Sequence, residues 1–343
     1  MKDDTVYLEV GGHNDEKRLD RWLKISFGRV TQSRIEVLCR KGKIRVNGLQ
    51  VRPSHRVVRG DKVYIIGGLE ERRENKVKTV EDLTTTEKEL IKDSVIYEDK
   101  HLIAINKPSG IATQGGTGQT THIDNLIQYF SSSFLGKPKL VHRLDKETSG
   151  ILLLAKSSKL ASLLASSFRN REMKKVYWAL VAGRPPKDRG SIDFPLIRLS
   201  KGKMGKDFEK VQCISVGSAK LPPNAKAALS EYSVIEHLAN RLCWLAISPI
   251  TGRTHQLRAH LAHINCPIIG DTKYGKNSQD NKGDGWNVKL GENIENKLHL
   301  HARSLSFNHP VTKKQMFIEA KLPKHMKKTW KILGLSSKIS TSD

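Results

Sequence analysis

The chain opens with two short amphipathic segments. Leu19, Trp22 and Leu23 recur at the spacing of one helical face. A second helix is predicted to begin at Ser33, because Glu36 follows three residues later as in a capping box.

A helix-stop signal and a hairpin signal follow. Gly42 is placed to end the second helix. The alternating run KIRVNGLQV then turns at Asn47-Gly48, a dipeptide preferred in two-residue hairpins. Two short helices feeding a small sheet are therefore predicted for residues 16–66, a small α+β domain.

The remaining chain divides into a polar stretch, a long domain and a tail. Residues 67–90 are polar and mixed in charge, which predicts a linker. Residues 91–334 hold strand-like runs such as ILLLAK, VYWALVAG, YSVIEHL and CWLAISPI, with helical spacing in SKLASLLASSF and THQLRAHLAHI. An excess of strands with irregularly placed helices predicts an α+β fold with a mainly antiparallel, mixed sheet. Residues 335–343 are expected to form a flexible tail.

The charge balance indicates a polyanionic partner. The 343 residues carry 60 Lys and Arg against 35 Asp and Glu, a formal net charge of +25. Such an excess favours phosphate neutralisation, so a nucleic acid is expected. A membrane surface is the other anionic candidate, but no lipidation motif or long amphipathic helix supports it. A basic protein without a dedicated polyanionic partner is the plainer alternative.

Much of the positive charge lies in the first segment. Residues 16–66 hold 14 Lys and Arg against 4 Asp and Glu. A helix packed on a hairpin, with this charge on one side, would bind an RNA backbone, whereas a merely solvated helix face is the alternative. The side chains expected to contact RNA here are Arg34, Arg40, Lys41, Lys43 and Arg45.

Cysteine usage and hydropathy favour a cytoplasmic protein without a membrane partner. The four cysteines form no C-x-x-C pair, which predicts neither a disulfide framework nor a zinc ribbon. The first ten residues are acidic and lack the apolar core of a signal peptide. The longest aliphatic run, Ile151–Ala155, is too short to cross a bilayer.

The first candidate for chemistry is a carboxylate between two basic side chains. Asp145 lies between Arg143 and Lys146, ahead of an apolar strand. Neighbouring positive charge would hold it ionised, and an ionised carboxylate can attack an electrophilic carbon or stabilise a cation. A turn aspartate that pairs with an arginine for structural reasons is the alternative.

Two further blocks carry candidate binding groups. If Thr254 caps a helix, the first turn presents His255 and Arg258 at a helix N-terminus, which favours an anion. Tyr177 alternates with Trp178 on a strand and so faces the other way. It could stack on a base, with packing in the core as the alternative.

A metal site is a weaker interpretation of the second block. His260, His263 and Cys266 follow one another at three-residue spacing. Pro267 would break the helix directly after Cys266, and no second pair of ligands is evident. No metal is predicted, because core packing or RNA contact suits these side chains better.

Together these blocks resemble the RluA family of pseudouridine synthases. The resemblance rests, in the family's order, on KPSG at 107–110, HRLDKETSGILLLAK at 142–156, K-x-Y-x-A-x-V-x-G at 175–183 and GRTHQLRAHLAHINCPIIGDTKYG at 252–275. The first segment resembles the S4 RNA-binding domain that often precedes such a catalytic domain. The family often has a His near the position of Gln114, a difference that bears on substrate fit.

The resemblance implies roles for individual residues. Asp145 would be the catalytic aspartate, oriented by Arg258. Tyr177 would pack on the target base beside Leu257, and Arg143 would fill the space left by the flipped uridine. The complete expected set is catalytic Asp145, Arg258 and Tyr177, with substrate-contacting Arg143, Leu257, His142 and Arg253.

The implied reaction breaks the bond from C1′ to N1 of uracil, turns the base and joins C1′ to C5, so no cofactor is expected. Asp145 would attack C1′, attack the base or remove a ribose proton, and these three routes stay open. With the glycine pair at 115–116, the chain resembles RluC-type enzymes, which act on large-subunit ribosomal RNA, as do RluD-type enzymes. A monomer is expected. A non-catalytic RNA-binding or ribosome-assembly factor is the alternative, but it would not need Asp145, Arg258 and Tyr177 together.

Overall fold

In the computed structural model the chain forms two compact units, Met1–Val77 and Lys78–Asp343. The structure describes residues 5–11, 16–27, 30–67, 82–115, 121–131, 136–199, 210–215, 221–238, 241–275 and 294–336. Residues 68–81 of the predicted linker, residues 337–343 of the predicted tail and Gly116 lie outside these ranges.

The first unit is a four-stranded antiparallel sheet covered on one face by two helices. Its elements are β1 (Thr5–Glu9), β2 (Lys17–Arg18), α1 (Leu19–Phe27), α2 (Gln32–Arg40), β3 (Ile44–Val46), β4 (Leu49–Gln50), β5 (Arg56–Val57) and β6 (Lys62–Ile66). The sheet order is β1-β6-β3-β4, and β2 pairs separately with β5. Leu19, Trp22 and Leu23, predicted as one helical face, are all buried in the core of this unit.

The boundaries of α2 differ from the prediction at one end. Thr31, not Ser33, caps the helix, because its side chain accepts a hydrogen bond from the N–H of Arg34 at 3.3 Å. The capping box predicted from Ser33 was therefore wrong. Gly42 follows the helix with a φ of +66°, and Asn47-Gly48 turns the hairpin with φ values of +49° and +80°, both as predicted.

Two elements lie outside the predicted domain boundaries. β1 precedes residue 16, yet it pairs along its whole length with β6. The end of the predicted linker is helical: α3 spans Thr85–Asp93 and buries Ile91. Thr84 and Glu87 form a complete capping box at its start, a signal that was present in the sequence.

The second unit is built around one ten-stranded sheet. After α3 its elements are β7 (Val95–Glu98), β8 (Leu102–Lys107), α4 (Ile123–Leu126), a 3-10 turn (Ile127–Phe130), β9 (Lys139–Leu140), β10 (Ser149–Ala155), α5 (Ser158–Arg169), β11 (Lys174–Ala182), β12 (Arg189–Asp193), β13 (Leu196–Arg198), β14 (Val211–Cys213), β15 (Leu229–Leu238), β16 (Leu242–Pro249), α6 (Gln256–His263), β17 (Leu300–Asn308), β18 (Gln315–Glu319) and α7 (Lys324–Ile332).

The sheet runs β12-β15-β16-β11-β17-β10-β8-β7, with β18 added beside β17 and β9 beside β10. Its described pairings are antiparallel except for a two-residue parallel contact between β10 and β17. The predicted α+β fold with a mainly antiparallel, mixed sheet is therefore confirmed. In the described part of the chain, no helix is both long enough and apolar enough to span a membrane.

The two faces of this sheet carry different helices. Along β11, Ala179 and Val181 pack in the hydrophobic cluster that includes α6. Trp178 and Leu180, which alternate with them, pack with the buried side of α7. Because Tyr177 shares the face of Ala179, it lies on the same side of the sheet as α6.

Candidate active site around Asp145

Asp145 lies in the turn between β9 and β10, and the backbone on both sides of it is fixed. The N–H of Thr148 donates to the Asp145 carbonyl oxygen at 3.1 Å. The Thr113 hydroxyl donates to the carbonyl oxygen of buried Leu144 at 2.6 Å and accepts from its N–H at 3.1 Å. The Asp145 carboxylate is left with 26% of its side-chain surface exposed.

The KPSG segment clamps the same turn from its other side. Lys107 has no exposed surface, and its ammonium donates to three carbonyl oxygens at 2.8, 2.8 and 3.1 Å, the last of them that of Lys146. The Gly110 N–H reaches the same oxygen at 2.9 Å, and the Ser109 hydroxyl donates to the Glu147 carbonyl at 2.7 Å. Burial lowers the pKa of Lys107 to about 7. The negative charges of Glu147 and then Asp145 oppose this shift.

A glycine lets β10 begin immediately after this turn. Gly150 has a φ of +112°, in the region that side chains rarely adopt. A Cβ on it would stand 2.3 Å from the carbonyl oxygen and 2.6 Å from the nitrogen of Ala302 on β17. The close parallel contact that anchors the Asp145 turn on the sheet therefore requires glycine here.

Arg258 on α6 faces the Asp145 carboxylate but is hydrogen-bonded to the carboxylate of Asp271. Its Nε and Nη2 donate to Oδ2 and Oδ1 of Asp271, both at 2.7 Å. Its Nη1 lies 3.8 Å from Oδ2 of Asp145, close enough for charge attraction but too far for a hydrogen bond. Burial alone would lower the pKa of Arg258, but the hydrogen bonds and charge of Asp271, and then the charge of Asp145, raise it. The tight partner of Arg258 is thus Asp271, to which no role was assigned from the sequence.

The start of α6 differs from the prediction. The helix begins at Gln256 and His255 occupies the capping position, with a φ of +52°, so the predicted cap at Thr254 was wrong. The Gln256 side chain instead accepts a backbone N–H of the preceding turn at 3.0 Å. This geometry brings His255 Nε2 to 3.9 Å from Oδ2 of Asp145, while Nδ1 hydrogen-bonds the Tyr274 hydroxyl at 3.1 Å.

Tyr177 lies near the Asp145 carboxylate and packs against two apolar clusters. Tyr177 faces away from Trp178, as the alternation along β11 predicted, and packs against the cluster that contains buried Leu257. It also packs against the cluster that contains Leu144, the neighbour of Asp145. Burial and then the negative charge of Asp145 raise the pKa of Tyr177, so the phenol stays neutral.

The positive charge around Asp145 comes from distant parts of the chain. Burial raises the pKa of the Asp145 carboxyl, and the charge of Asp271 acts in the same direction. Arg258, Lys273 and Lys107 act to lower it, in that order. The largest of these effects therefore come from residues other than the sequence neighbours Arg143 and Lys146, from which an ionised Asp145 was predicted.

The other predicted substrate contacts have different surroundings. Arg143 is exposed, and it forms no hydrogen bond or ion pair with the residues that the structure describes. Arg253 is exposed but donates from Nε to the Ala227 carbonyl at 3.0 Å. His142 accepts the Leu153 N–H at 2.9 Å, and burial lowers its pKa to about 3. These contacts of His142 favour a structural role over contact with RNA.

The basic residues of the first unit are divided between two surfaces. Arg34 and Arg40 are on α2 and Lys41 ends it, whereas Lys43 and Arg45 alternate with buried residues of β3 and so point away from α2. Arg40, Lys41 and Arg45 are exposed, while Arg34 and Lys43 are partly buried. The prediction that this positive charge lies on one side of the unit was therefore wrong, because the basic side chains lie on two surfaces.

The histidines of α6 are used for packing. His260 has no exposed surface and hydrogen-bonds the Ser230 hydroxyl and the Phe194 carbonyl oxygen, both at 3.0 Å. The His263 ring packs edge-on against Phe194, and Cys266 is buried. Within the described ranges, no three His, Cys, Asp or Glu side chains are grouped so that they could hold a metal ion.

Sequence reasoning missed three residues of this site. Lys107, Asp271 and Lys273 were each within a motif quoted for the family resemblance, but no chemistry was assigned to them. Their positions within these motifs were the one signal in the sequence by which they could have been found. Only the folded chain shows that they act on Asp145 or on Arg258.

Comparison with known proteins places this geometry in a family. The RNA pseudouridylate synthase family matches residues 101–263 and the S4 domain matches residues 17–63. The chain is 36% identical to the ribosomal large subunit pseudouridine synthase C of Rickettsia bellii, over 90% of this chain and 95% of that protein. It is 32% identical to the enzyme of the same name from Vibrio vulnificus, over 93% and 94%.

A solved structure supports the same assignment. Human RNA pseudouridylate synthase domain containing 4 is 28% identical, with a TM-score of 0.57 over 72% of this chain and 95% of that one. The curated relatives match this chain over nearly the whole length of both proteins. The chain therefore belongs to the RNA pseudouridylate synthase family and carries an S4 domain ahead of its catalytic unit.

Proposed function

We propose that this pseudouridine synthase isomerises uridines of large-subunit ribosomal RNA, with Asp145 as the catalytic carboxylate. The observation that carries the proposal is the setting of Asp145, whose carboxylate is held on a fixed turn, is open to solvent on one side and faces a buried arginine at 3.8 Å. The substrate class is supported by the names of the curated relatives and by the net charge of +25.

The reaction requires an ionised carboxylate beside a flipped base. The C1′–N1 bond breaks and a C1′–C5 bond forms, while C5 loses a proton and N1 gains one, so the composition of the nucleotide does not change. Arg258 and Lys273 favour the ionised form of Asp145 against the effect of burial. The two hydrogen bonds from Arg258 to Asp271 fix the guanidinium, so the positive charge of Arg258 is in position before the substrate binds.

The walls of the site suit a uracil ring. The Tyr177 phenol and the Leu257 side chain supply an apolar surface on which the base can pack. Flipping a base out of structured RNA costs a few kcal/mol. Arg143, which is exposed two residues before Asp145, would fill the space that the base leaves and so offset part of this cost.

The S4 domain would contribute to binding of the RNA through its basic side chains. Arg34, Arg40 and Lys41 offer cations for phosphates along α2. We further propose that the protein acts as a monomer and that it acts in the cytoplasm. Its four cysteines are free and buried, which favours the cytoplasm as the compartment. Light scattering of the purified chain would test the first of these two statements, and a dimer would contradict it.

The decisive experiment compares Asp145→Asn with the wild type in cells that lack the gene. Pseudouridine in ribosomal RNA is mapped by chemical adduct formation and primer extension. The wild type is expected to restore stops in large-subunit RNA, whereas Asp145→Asn restores none, since an amide cannot replace the carboxylate in any of the three routes. Asp124→Asn is the matched control, because the half-exposed carboxylate of Asp124 pairs with Lys137 at 2.8 Å, and this variant should act like the wild type.

Two outcomes would contradict the proposal. Full restoration by Asp145→Asn would remove Asp145 from catalysis. Loss of the gene without any change in the stops of large-subunit RNA would reject the substrate. If transfer and messenger RNA were also unchanged, a non-catalytic RNA-binding or assembly factor would be the better description.

A further inference from the structure

The outer face of the four-stranded sheet carries a neighbouring pair of aromatic rings, of which Tyr7 is exposed and Tyr64 is half-buried. Val63 and Ile65 of β6 are buried in the core under the helices, so Tyr64 between them points to the opposite face. Tyr7 of β1 is its register partner. The two ring centroids are 5.5 Å apart, with the planes tilted by 39°, and Tyr7 is 48% exposed.

Basic side chains continue this row across the sheet. Arg45 of β3 is the register partner of Tyr64 on its other side. Lys62 lies two positions from Tyr64 on β6, and Lys43, directly before β3, lies two positions from Arg45, so both share this face. Against these three cations stands Glu9, which pairs in register with Lys62. The face thus combines two neighbouring aromatic rings with an excess of positive charge.

We propose that this surface, the tyrosine face, binds unpaired nucleotides of the RNA substrate. It rests on the proposed function, since it assumes an RNA substrate. Each base offers a flat π-surface to an aromatic ring, and an arginine plane can stack in the same way. Lys43 and Lys62 lie on the same face, one on each side of the row of Tyr7, Tyr64 and Arg45, and can neutralise the phosphates that connect the bases.

The aromatic rings favour single-stranded RNA over duplex RNA as the ligand of the tyrosine face. Bases inside an RNA helix are stacked on one another and cannot reach a side-chain ring, whereas bases of loops and ends can be splayed out. A surface for duplex backbone needs only cations, as on α2. The tyrosine face lies across the sheet from α2. The first unit would therefore contact a paired segment and an adjoining unpaired segment on two different surfaces.

The test uses the full-length protein and two RNA probes, a hairpin with a single-stranded uridine-rich extension and the same hairpin without it. The wild type should bind the extended hairpin more tightly. Tyr7→Ala combined with Tyr64→Ala should lose about tenfold in affinity for the extended hairpin and little for the blunt one. Tyr7→Phe combined with Tyr64→Phe keeps the ring faces and should retain the preference.

A control separates this surface from exposed aromatic residues in general. Phe317 on β18, in the other unit, is 56% exposed, and Phe317→Ala should leave both affinities unchanged. Because stacking releases few counterions, the lost preference should depend only weakly on salt concentration. Equal binding of both hairpins by the wild type, or an unchanged preference in the double alanine variant, would overturn the proposal.

A crosslinking measurement decides the matter if the alanine variant does not fold. An extended hairpin with 4-thiouridine in its single strand is irradiated with the wild-type protein, and the attached peptides are identified by mass spectrometry. Crosslinks at Tyr7 or Tyr64 support the tyrosine face, and crosslinks confined to other peptides reject it. Pseudouridine formation is measured separately, so an inactive wild type that still prefers the extended hairpin would reject the proposed function and leave the tyrosine face standing.

Discussion

Replacing Asp271 by Asn is expected to slow turnover and, at the same time, to move the acid limb of the pH–rate profile to lower pH. The Asp271 side chain is fully buried and bonds Arg258 through both oxygens at 2.7 Å. Its Oδ1 also accepts the N–H groups of Lys273 and Tyr274 at 2.9 and 3.1 Å. An asparagine can keep its oxygen at the Oδ1 position, which places its NH₂ group against Arg258 Nε, donor facing donor.

The expected loss of stability in Asp271→Asn follows from the one hydrogen bond that is lost, the bond from Arg258 Nε. A hydrogen bond to a charged group contributes about 1.5–3 kcal/mol, so the free energy of unfolding should fall by about that amount. Asp271→Ala leaves the buried guanidinium of Arg258 without its partner and should cost about 3–5 kcal/mol. Turnover falls in both variants because Arg258 is no longer held in one position.

The direction of the pH shift follows from the charges. The negative charge of Asp271 helps to raise the pKa of Asp145, so its removal lowers that pKa. If the ionised form of Asp145 is the active one, activity then persists to lower pH. Arg258→Gln breaks the same contact but removes the cation that lowers the pKa of Asp145 most, so its acid limb should move to higher pH.

The assay is single-turnover pseudouridine formation on a ribosomal RNA fragment, measured across the acid limb for each variant. Denaturant unfolding gives the stability of the same proteins, and Asp124→Asn, which removes a half-exposed carboxylate paired with Lys137, serves as the control. Shifts of opposite sign for Asp271→Asn and Arg258→Gln are expected. An acid limb that moves in the same direction in both variants, or in neither, would refute the electrostatic account, because a loss of packing alone does not reverse sign.

Three further predictions concern stability and binding. Gly150→Ala should lower the free energy of unfolding in urea by about 2–5 kcal/mol, because of its positive φ and the contact with β17, whereas Gly252→Ala, with open space around it, should change it little. Burial lowers the pKa of His301 to about 3, below its unfolded value of 6.5, so stability should fall as the pH drops below 6.5, and His301→Gln should flatten that fall; an unchanged slope in urea unfolding would contradict this. Replacing Arg40 and Lys41 together by Gln should reduce the salt dependence of RNA binding by roughly one unit of slope per lost phosphate contact, and an unchanged slope would remove α2 from the RNA interface.

Local signals in the sequence determined most of the secondary-structure elements. Strand runs such as ILLLAK and the Asn47-Gly48 hairpin depend on neighbours within a few positions, and these were predicted correctly. The four motifs, in order, determined the family, which the comparisons confirm. Local signals failed where two of them competed, as when Thr31 rather than Ser33 capped α2.

Only the tertiary structure decided which groups act on one another. Arg258 was expected to pair with Asp145, yet its hydrogen bonds go to Asp271, in the turn after α6. No sequence periodicity specifies which carboxylate an arginine contacts. The cations that oppose the burial of Asp145 are likewise remote in the chain, whereas adjacent Lys146 is exposed. Sequence neighbours on a turn point in divergent directions, and burial, which sets the strength of every charge interaction here, exists only once the sheet and α6 have closed around the site.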